Sequence, residues 1–181
     1  MRFLLAILCC SIWSCSQIDS GDYRSKKTDS LITREIAENV SIEYTDSGLR
    51  RAALRTPLMV GVKKIKNPYV EMPKGINVDF YATNGNVESY LTAEYAISYT
   101  EKKKVYVRRK VEVLNIKGDT MNTEELVWDQ KTGKITTDKY VVIKTKSQII
   151  TGVGMESDQT FSDWEIKNVT GTIYKTGEGN D

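Results

Sequence analysis

The amino-acid sequence predicts an all-β domain, a roll, barrel or sandwich of antiparallel strands, on three observations. Apolar residues recur at every second position in run after run between Val40 and Tyr174. Turn residues separate these runs at short intervals, and no strand–helix–strand alternation occurs, which sets aside a doubly wound fold.

In chain order, Arg2 is followed by an apolar run, Phe3 to Trp13, that reads as a secretory signal. The run is about half the ~20 residues that a spanning helix needs, so it is too short to remain as a transmembrane anchor. Ile12-Trp13-Ser14-Cys15 resembles the bacterial lipobox, which marks Cys15 as the residue expected to be lipidated; a plain cleaved signal is the alternative. Two or three acyl chains on one cysteine, at about 0.8 kcal/mol per buried methylene, would hold a domain on a bilayer. Ser16 to Ser30 is polar and aperiodic and reads as a tether, and Leu31 to Asn39 is the one place after the signal where a helical turn is expected. The division expected is therefore a signal segment over 1–15, a flexible tether over 16–37, the β domain over 38–175 and a flexible tail over 176–181.

The strands then follow. Val40, Ile42 and Tyr44 alternate with polar residues up to the turn Asp46-Ser47-Gly48, which predicts a hairpin with Leu49 to Leu54. Leu58 to Val62 is expected as a further strand, with Pro57, Pro68 and Pro73 marking breaks or edges because proline has no N–H to donate to a ladder. Ile76, Val78 and Phe80 alternate before the tight-turn pair Asn84-Gly85. The longest alternation runs from Val87 through Leu91, Ala93, Tyr95 and Ile97 to Tyr99, which predicts one long strand with that set buried. Glu101 to Lys104 is a charged turn, and Val105, Val107, Val111 and Val113 resume the period. Further strands are expected over Thr120 to Trp128, Ile135 to Thr137, Tyr140 to Thr145, Gln148 to Val153 and Asp163 to Tyr174, with Gly152 and Gly154 as structural turn residues.

Composition narrows the function. The sequence has 181 residues, no histidine and a formal net charge of +2. Without histidine the commonest general base and the commonest zinc ligand are both missing. All three cysteines, Cys9, Cys10 and Cys15, precede the β region, leaving it no disulfide framework and no thiolate site. No phosphate-binding Gly-Lys-Ser/Thr loop occurs. No enzyme, catalytic residue, metal or cofactor is expected, and the near-neutral charge argues against nucleic acid as a partner. The basic runs, Lys63-Lys64, Lys102 to Lys104 and Arg108 to Lys110, and the acidic pair Glu124-Glu125 read as solvated surface.

In the second half, Thr123-Glu124-Glu125-Leu126-Val127-Trp128-Asp129, Lys134 to Asp138, and Gly152-Val153-Gly154-Met155-Glu156-Ser157-Asp158 follow in order, and Asp163 to Gly171 closes the series. This order and spacing resembles the LptC family of lipopolysaccharide export proteins, with a weaker match over Glu38 to Thr56 and Ile76 to Ala82. The resemblance implies an open β-jellyroll of twisted antiparallel sheets whose apolar interior carries the acyl chains of lipopolysaccharide. The chain would hang from the inner membrane by its N-terminal anchor, in the periplasm. Its implied partners are LptF/LptG-type permeases of an ABC transporter, from which lipopolysaccharide arrives, and an LptA-type periplasmic bridge protein, to which it passes.

On that reading Val78, Phe80, Leu91, Ala93, Tyr95, Val111, Val113, Leu126, Trp128, Val141, Ile143 and Ile149 are candidates to line the groove. The same alternation fits an ordinary packed core equally well. The family's use of strand edges implies two partner edges, Val40, Ile42 and Tyr44 at the N-terminal side and Trp164, Ile166 and Val169 at the C-terminal side. Two other functions stay open: a soluble LptA-like bridge protein, and a surface lipoprotein that binds glycan or protein without transporting lipid.

Overall fold

The computed structural model describes residues 33–63 and 66–174, so the signal, Cys15 and most of the expected tether lie outside the described residues. Eleven strands form one antiparallel sheet: β1 Thr33–Asp46, β2 Leu49–Lys63, β3 Tyr69–Met72, β4 Ile76–Tyr81, β5 Val87–Ala93, β6 Tyr95–Tyr99, β7 Lys104–Asn115, β8 Thr120–Asp129, β9 Lys134–Lys144, β10 Gln148–Asp158 and β11 Trp164–Tyr174. The fold is the all-β jellyroll that the sequence and the resemblance led us to expect.

The sheet forks in its middle. Along one side of β2, residues 52–55 pair with β4 and residues 60–62 pair with β3. The two branches, β4–β5 and β3–β6, rejoin on β7, where residues 112–115 pair with β5 and residues 104–108 with β6. Pro57 sits between the two partners of β2, so its missing N–H interrupts no ladder on that side. The proline therefore does not break the strand, as the sequence led us to expect; β2 runs through it.

Beyond the fork a line of bulges continues across the sheet. Register shifts fall between Arg108 and Val111, Thr123 and Val127, Val153 and Met155, and Thr151 and Gly152. A bulge bends a strand and increases its local twist, so β7 to β11 each turn at this line and contribute one half to each of two layers. Contacts between the layers follow: the Phe80 and Trp128 rings lie 5.0 Å apart, although β5 and β7 separate β4 from β8 in the sheet. Where chain leaves the ladder, threonines take its carbonyls: Thr123 donates to Tyr140 O at 2.9 Å and Thr137 to Glu125 O at 2.6 Å. Each bond satisfies a carbonyl that the bulge would otherwise strand.

Several sequence expectations change. Thr33 to Asn39 is strand, not a helical turn, because Thr33 to Glu38 pair residue by residue with Lys63 to Leu58; pairing overrides the helix-forming Arg, Glu and Ala there. The Val87–Tyr99 alternation is not one strand. Glu94 breaks it opposite the bulge of β7, donating its N–H to Arg109 O at 3.0 Å, and the phase flips so that Ala96, not Tyr95 or Ile97, is buried. The stretches 135–137 and 140–145 are one strand, β9. Gly152 and Gly154 are not turn residues; both lie inside β10 at its two register shifts.

Candidate functional site: the inner face and the two sheet edges

Inward-pointing side chains from both layers form a single apolar cluster. Ten of the twelve residues named as groove lining, Val78, Phe80, Leu91, Ala93, Val111, Val113, Leu126, Trp128, Val141 and Ile143, belong to it, each less than a tenth exposed. The other two point outward. Tyr95 carries its hydroxyl to Glu71 Oε1 at 2.7 Å and lies under the Arg109 guanidinium at 4.9 Å. Burial, together with the bond to the Glu71 carboxylate, pushes the Tyr95 phenol up to about 12. Ile149 pairs with Lys144 on the outer face, and Ile150 takes the inner position. The strand break at Glu94, facing the β7 bulge, shifts the phase before Tyr95, and the β9–β10 turn sets Ile149 opposite Lys144; the alternation alone gives no sign of either.

The inner face is filled and closed along the side opposite the bend. Tyr44 donates its hydroxyl to Gln130 O at 2.9 Å and packs edge-to-face on Trp128 at 5.6 Å, tying β1 to the β8–β9 turn. The segment 159–163 covers the neighbouring stretch: Phe161, fully buried with φ 53°, stacks on Trp164, and its carbonyl accepts from Asn115 Nδ2 at 2.9 Å. Asp158 holds this segment. Its carboxylate accepts from the Thr160 and Ser162 hydroxyls and from the Ser162 and Asp163 N–H groups. Burial works to raise its pKa, and these donors outweigh burial and hold it below the usual carboxylate range. Within the cluster, Trp128 Nε1 has no hydrogen-bond partner. A buried donor left without an acceptor costs about 1–3 kcal/mol.

Two surface depressions flank this core. One, of about 610 Å3, opens at the fork and is lined by Pro57, Lys74, Glu94, Arg109 and Lys110 among others. The second, of about 470 Å3, lies over the closed side and is lined by Tyr44, Arg51, Gln130 and Asp158 among others. Polar and charged groups line much of both, so neither is an apolar tunnel. Among the described residues no three His, Cys, Asp or Glu side chains stand close enough to hold a metal ion.

The inner face reaches solvent at the two sides of the sheet. Among the described residues β1 pairs only with β2 and β11 only with β10, so each presents a free edge of backbone donors and acceptors. Val40, Ile42 and Tyr44 pair with the buried Thr56, Leu54 and Ala52 and so point inward. Yet Ile42 is 41% exposed, because no described strand lies beyond β1. At the other side Trp164 and Ile166 pack on the core, and Val169, which shares the inward phase through Gly152 and Val141, is 58% exposed. The residues named as partner edges thus lie on the two free edges, with apolar side chains emerging from the core at each.

The alternation cannot indicate two features of this region. The Asp158-centred plug with Phe161 is a polar loop in the sequence, and the fork requires knowing that Glu94 faces the bulge at Arg109 and Lys110. Both of these residues adopt left-handed backbone, φ 66° and 48°, a conformation that L-residues rarely take.

Comparison with known families gives one match. A family model described as "Lipopolysaccharide-assembly, LptC-related" matches residues 3–175. No curated protein matches the chain.

Proposed function

The chain belongs to the LptC-related family of lipopolysaccharide-assembly proteins and takes part in lipopolysaccharide transport; from that premise we propose that it is a non-enzymatic carrier, receiving lipopolysaccharide from an inner-membrane ABC transporter and passing it to a periplasmic bridge protein. The observation that carries this reading is the emergence of inward-phase apolar side chains at the two free edges, Ile42 on β1 and Val169 on β11.

A partner that adds a strand to either edge extends the sheet by backbone hydrogen bonds and continues the apolar inner face into its own. The LptF/LptG-type permeases would take the β1 edge and the LptA-type bridge the β11 edge. Several acyl chains expose dozens of methylenes at about 0.8 kcal/mol each, so the route must keep them covered throughout. Passage requires the layers to part: the closing contacts, Tyr44 on Gln130 and the Phe161 plug, are displaced and the close-packed interior opens, a cost that contacts with the acyl chain offset. Extraction energy comes from the transporter's ATPase. The N-terminal segment, acylated on Cys15, holds the domain to the inner membrane on the periplasmic side.

The test places a photo-crosslinking residue at Ile42 and, separately, at Val169 in cells. Lipopolysaccharide adducts are expected at both, with the Val169 adduct rising when the bridge protein is depleted. No adduct at either position, while the bridge protein still yields adducts, refutes the carrier role. Mass spectrometry of the mature N-terminus checks the anchor: acyl groups on Cys15 are expected, and a cleaved, unmodified end removes that part of the proposal.

A further inference from the structure

We propose that the outer face of the layer containing β4 and β5 is a docking surface for a bilayer that carries anionic headgroups, a contact separate from both strand edges. Cross-strand pairing places Tyr90 opposite Leu114, Leu114 opposite Thr120, Thr120 opposite Lys144, Lys144 opposite Ile149 and Ile149 opposite Ile173. These six side chains form one row across the outer face. Ile116, at the tip of the β7–β8 hairpin beside this row, is 66% exposed, and Tyr90, Leu114 and Ile173 are exposed too. An outer sheet face normally alternates these positions with polar residues. Here four of the six are apolar, and a contiguous exposed apolar patch marks an interaction site.

The charges beside the row indicate the occupant. Among the described residues, Lys144 and Lys146 are exposed and form no ion pair, and Lys117 reaches only the Ser162 carbonyl at 3.5 Å. The acids around them are Asp119, which accepts from Asn115 Nδ2 at 3.2 Å, Glu88, whose carbonyl accepts from Ile116 N–H, and Glu112, one row away opposite Asn122; Asp79, opposite Tyr90, is taken up by Arg55. Cross-strand ion pairs stand elsewhere on the outer surface, Lys104 with Asp129, Arg108 with Glu125 and Lys134 with Glu156 on the other layer and Arg55 with Asp79 at the β2–β4 end of this one, so the lysines at the β7–β8 and β9–β10 turns differ from these in lacking an acidic partner among the described residues. Apolar side chains on a flat face with unpaired lysines at the turns suit an interface between headgroups and acyl chains, where lysine stems lie along apolar surface and ammonium groups meet lipid phosphates. The two surface depressions border this face, one at Asn77 and Thr92 and the other at Glu88, and neither includes Leu114, Ile116, Lys144 or Ile149 in its lining.

The experiment uses the full chain with Ile116→Trp, and Glu101→Trp at the opposite tip as the control, each read against the unsubstituted chain to subtract its own tryptophans. Vesicles contain phosphatidylglycerol and brominated phosphatidylcholine, which quenches tryptophan on contact. Because the N-terminal segment is the same in every variant, any binding it provides does not separate them. Quenching is expected for Ile116→Trp and not for Glu101→Trp. In the Ile116→Trp background, Lys144→Glu with Lys146→Glu should weaken it at least roughly 30-fold at low ionic strength, since each lysine near an anionic surface contributes about a factor of five. Salt at 0.5 M should act in the same direction. No quenching at position 116, equal quenching at both positions, or indifference to the lysine reversals overturns the proposal. So does a concentration-dependent tryptophan change without vesicles, which would mean that a second copy covers the face.

Discussion

Gly152→Ala is the substitution whose cost can be worked most directly from the structure. Gly152 lies in β10 with ordinary backbone angles, so no left-handed conformation requires glycine there. The constraint is space. A Cβ at this position would stand 2.4 Å from Ile166 Cγ2 and 2.5 Å from Asn168 O, both on the neighbouring edge strand β11. The isoleucine methyl can rotate away, but the carbonyl is backbone, so β11 must move by most of an ångström or release its register at the bulge between Thr151 and Gly152. Overpacking a well-filled site costs about 1–3 kcal/mol, and a clash with backbone belongs at the upper end. For a domain of this size about 3 kcal/mol lowers Tm by roughly 6–12 °C. The assay is urea unfolding of the full chain with hydrogen exchange of the β11 amides: a lower midpoint is expected, with loss of protection concentrated from Ile166 to Gly171. A midpoint within about 0.5 kcal/mol of the parent with β11 still protected would falsify the reasoning, because the close approach would then not constrain that edge.

Four further outcomes follow from the same geometry. Gly154→Ala meets only the Lys167 side chain but sits at φ 78°, so it should cost about 1 kcal/mol, less than Gly152→Ala, in the same urea series. Phe161→Ala removes a fully buried ring from the plug and should destabilise by about 3–5 kcal/mol in urea unfolding. Tyr44→Phe deletes the bond to Gln130 O; a loss of about 1 kcal/mol and faster exchange at the β8–β9 turn are expected, and unchanged exchange would show that the contact does not hold that side closed. Asp158 has a folded pKa held below its unfolded value of about 3.9, so its contribution is fully present above that pH and is lost as pH falls through the folded value. Trp164 fluorescence, read through its stacking on Phe161, should therefore change below about pH 4 in the parent. In Asp158→Asn this step should be absent, and an identical acid profile in both proteins contradicts the assignment.

Much of the architecture was legible because β-structure writes a period of two into the residues it buries. The hairpin at Asp46 to Gly48, the turn at Asn84-Gly85 and the strand Thr120–Asp129 follow from alternation and turn chemistry alone. So does the all-β class, and ten of the twelve inward positions were readable from phase. The order of motifs from Thr123 to Gly171 pointed to the family that the chain matches.

Errors cluster where a strand breaks its own period. Alternation predicts Tyr95 and Ile149 as inward; the β7 bulge at Arg109 and Lys110, faced by Glu94, turns Tyr95 outward, and the β9–β10 turn sets Ile149 opposite the exposed Lys144. A bulge has no composition signature beyond an occasional glycine, because the partner strand creates it. For the same reason Thr33 to Asn39, locally suited to a helical turn, is strand only because β2 lies beside it. The residues themselves determined class, period and lineage, all of which depend on neighbours in sequence. Which layer each half-strand joins, that the interior is filled, and that Ile42 and Val169 surface at opposite free edges were decided by tertiary structure, because each depends on contacts between residues far apart in the chain.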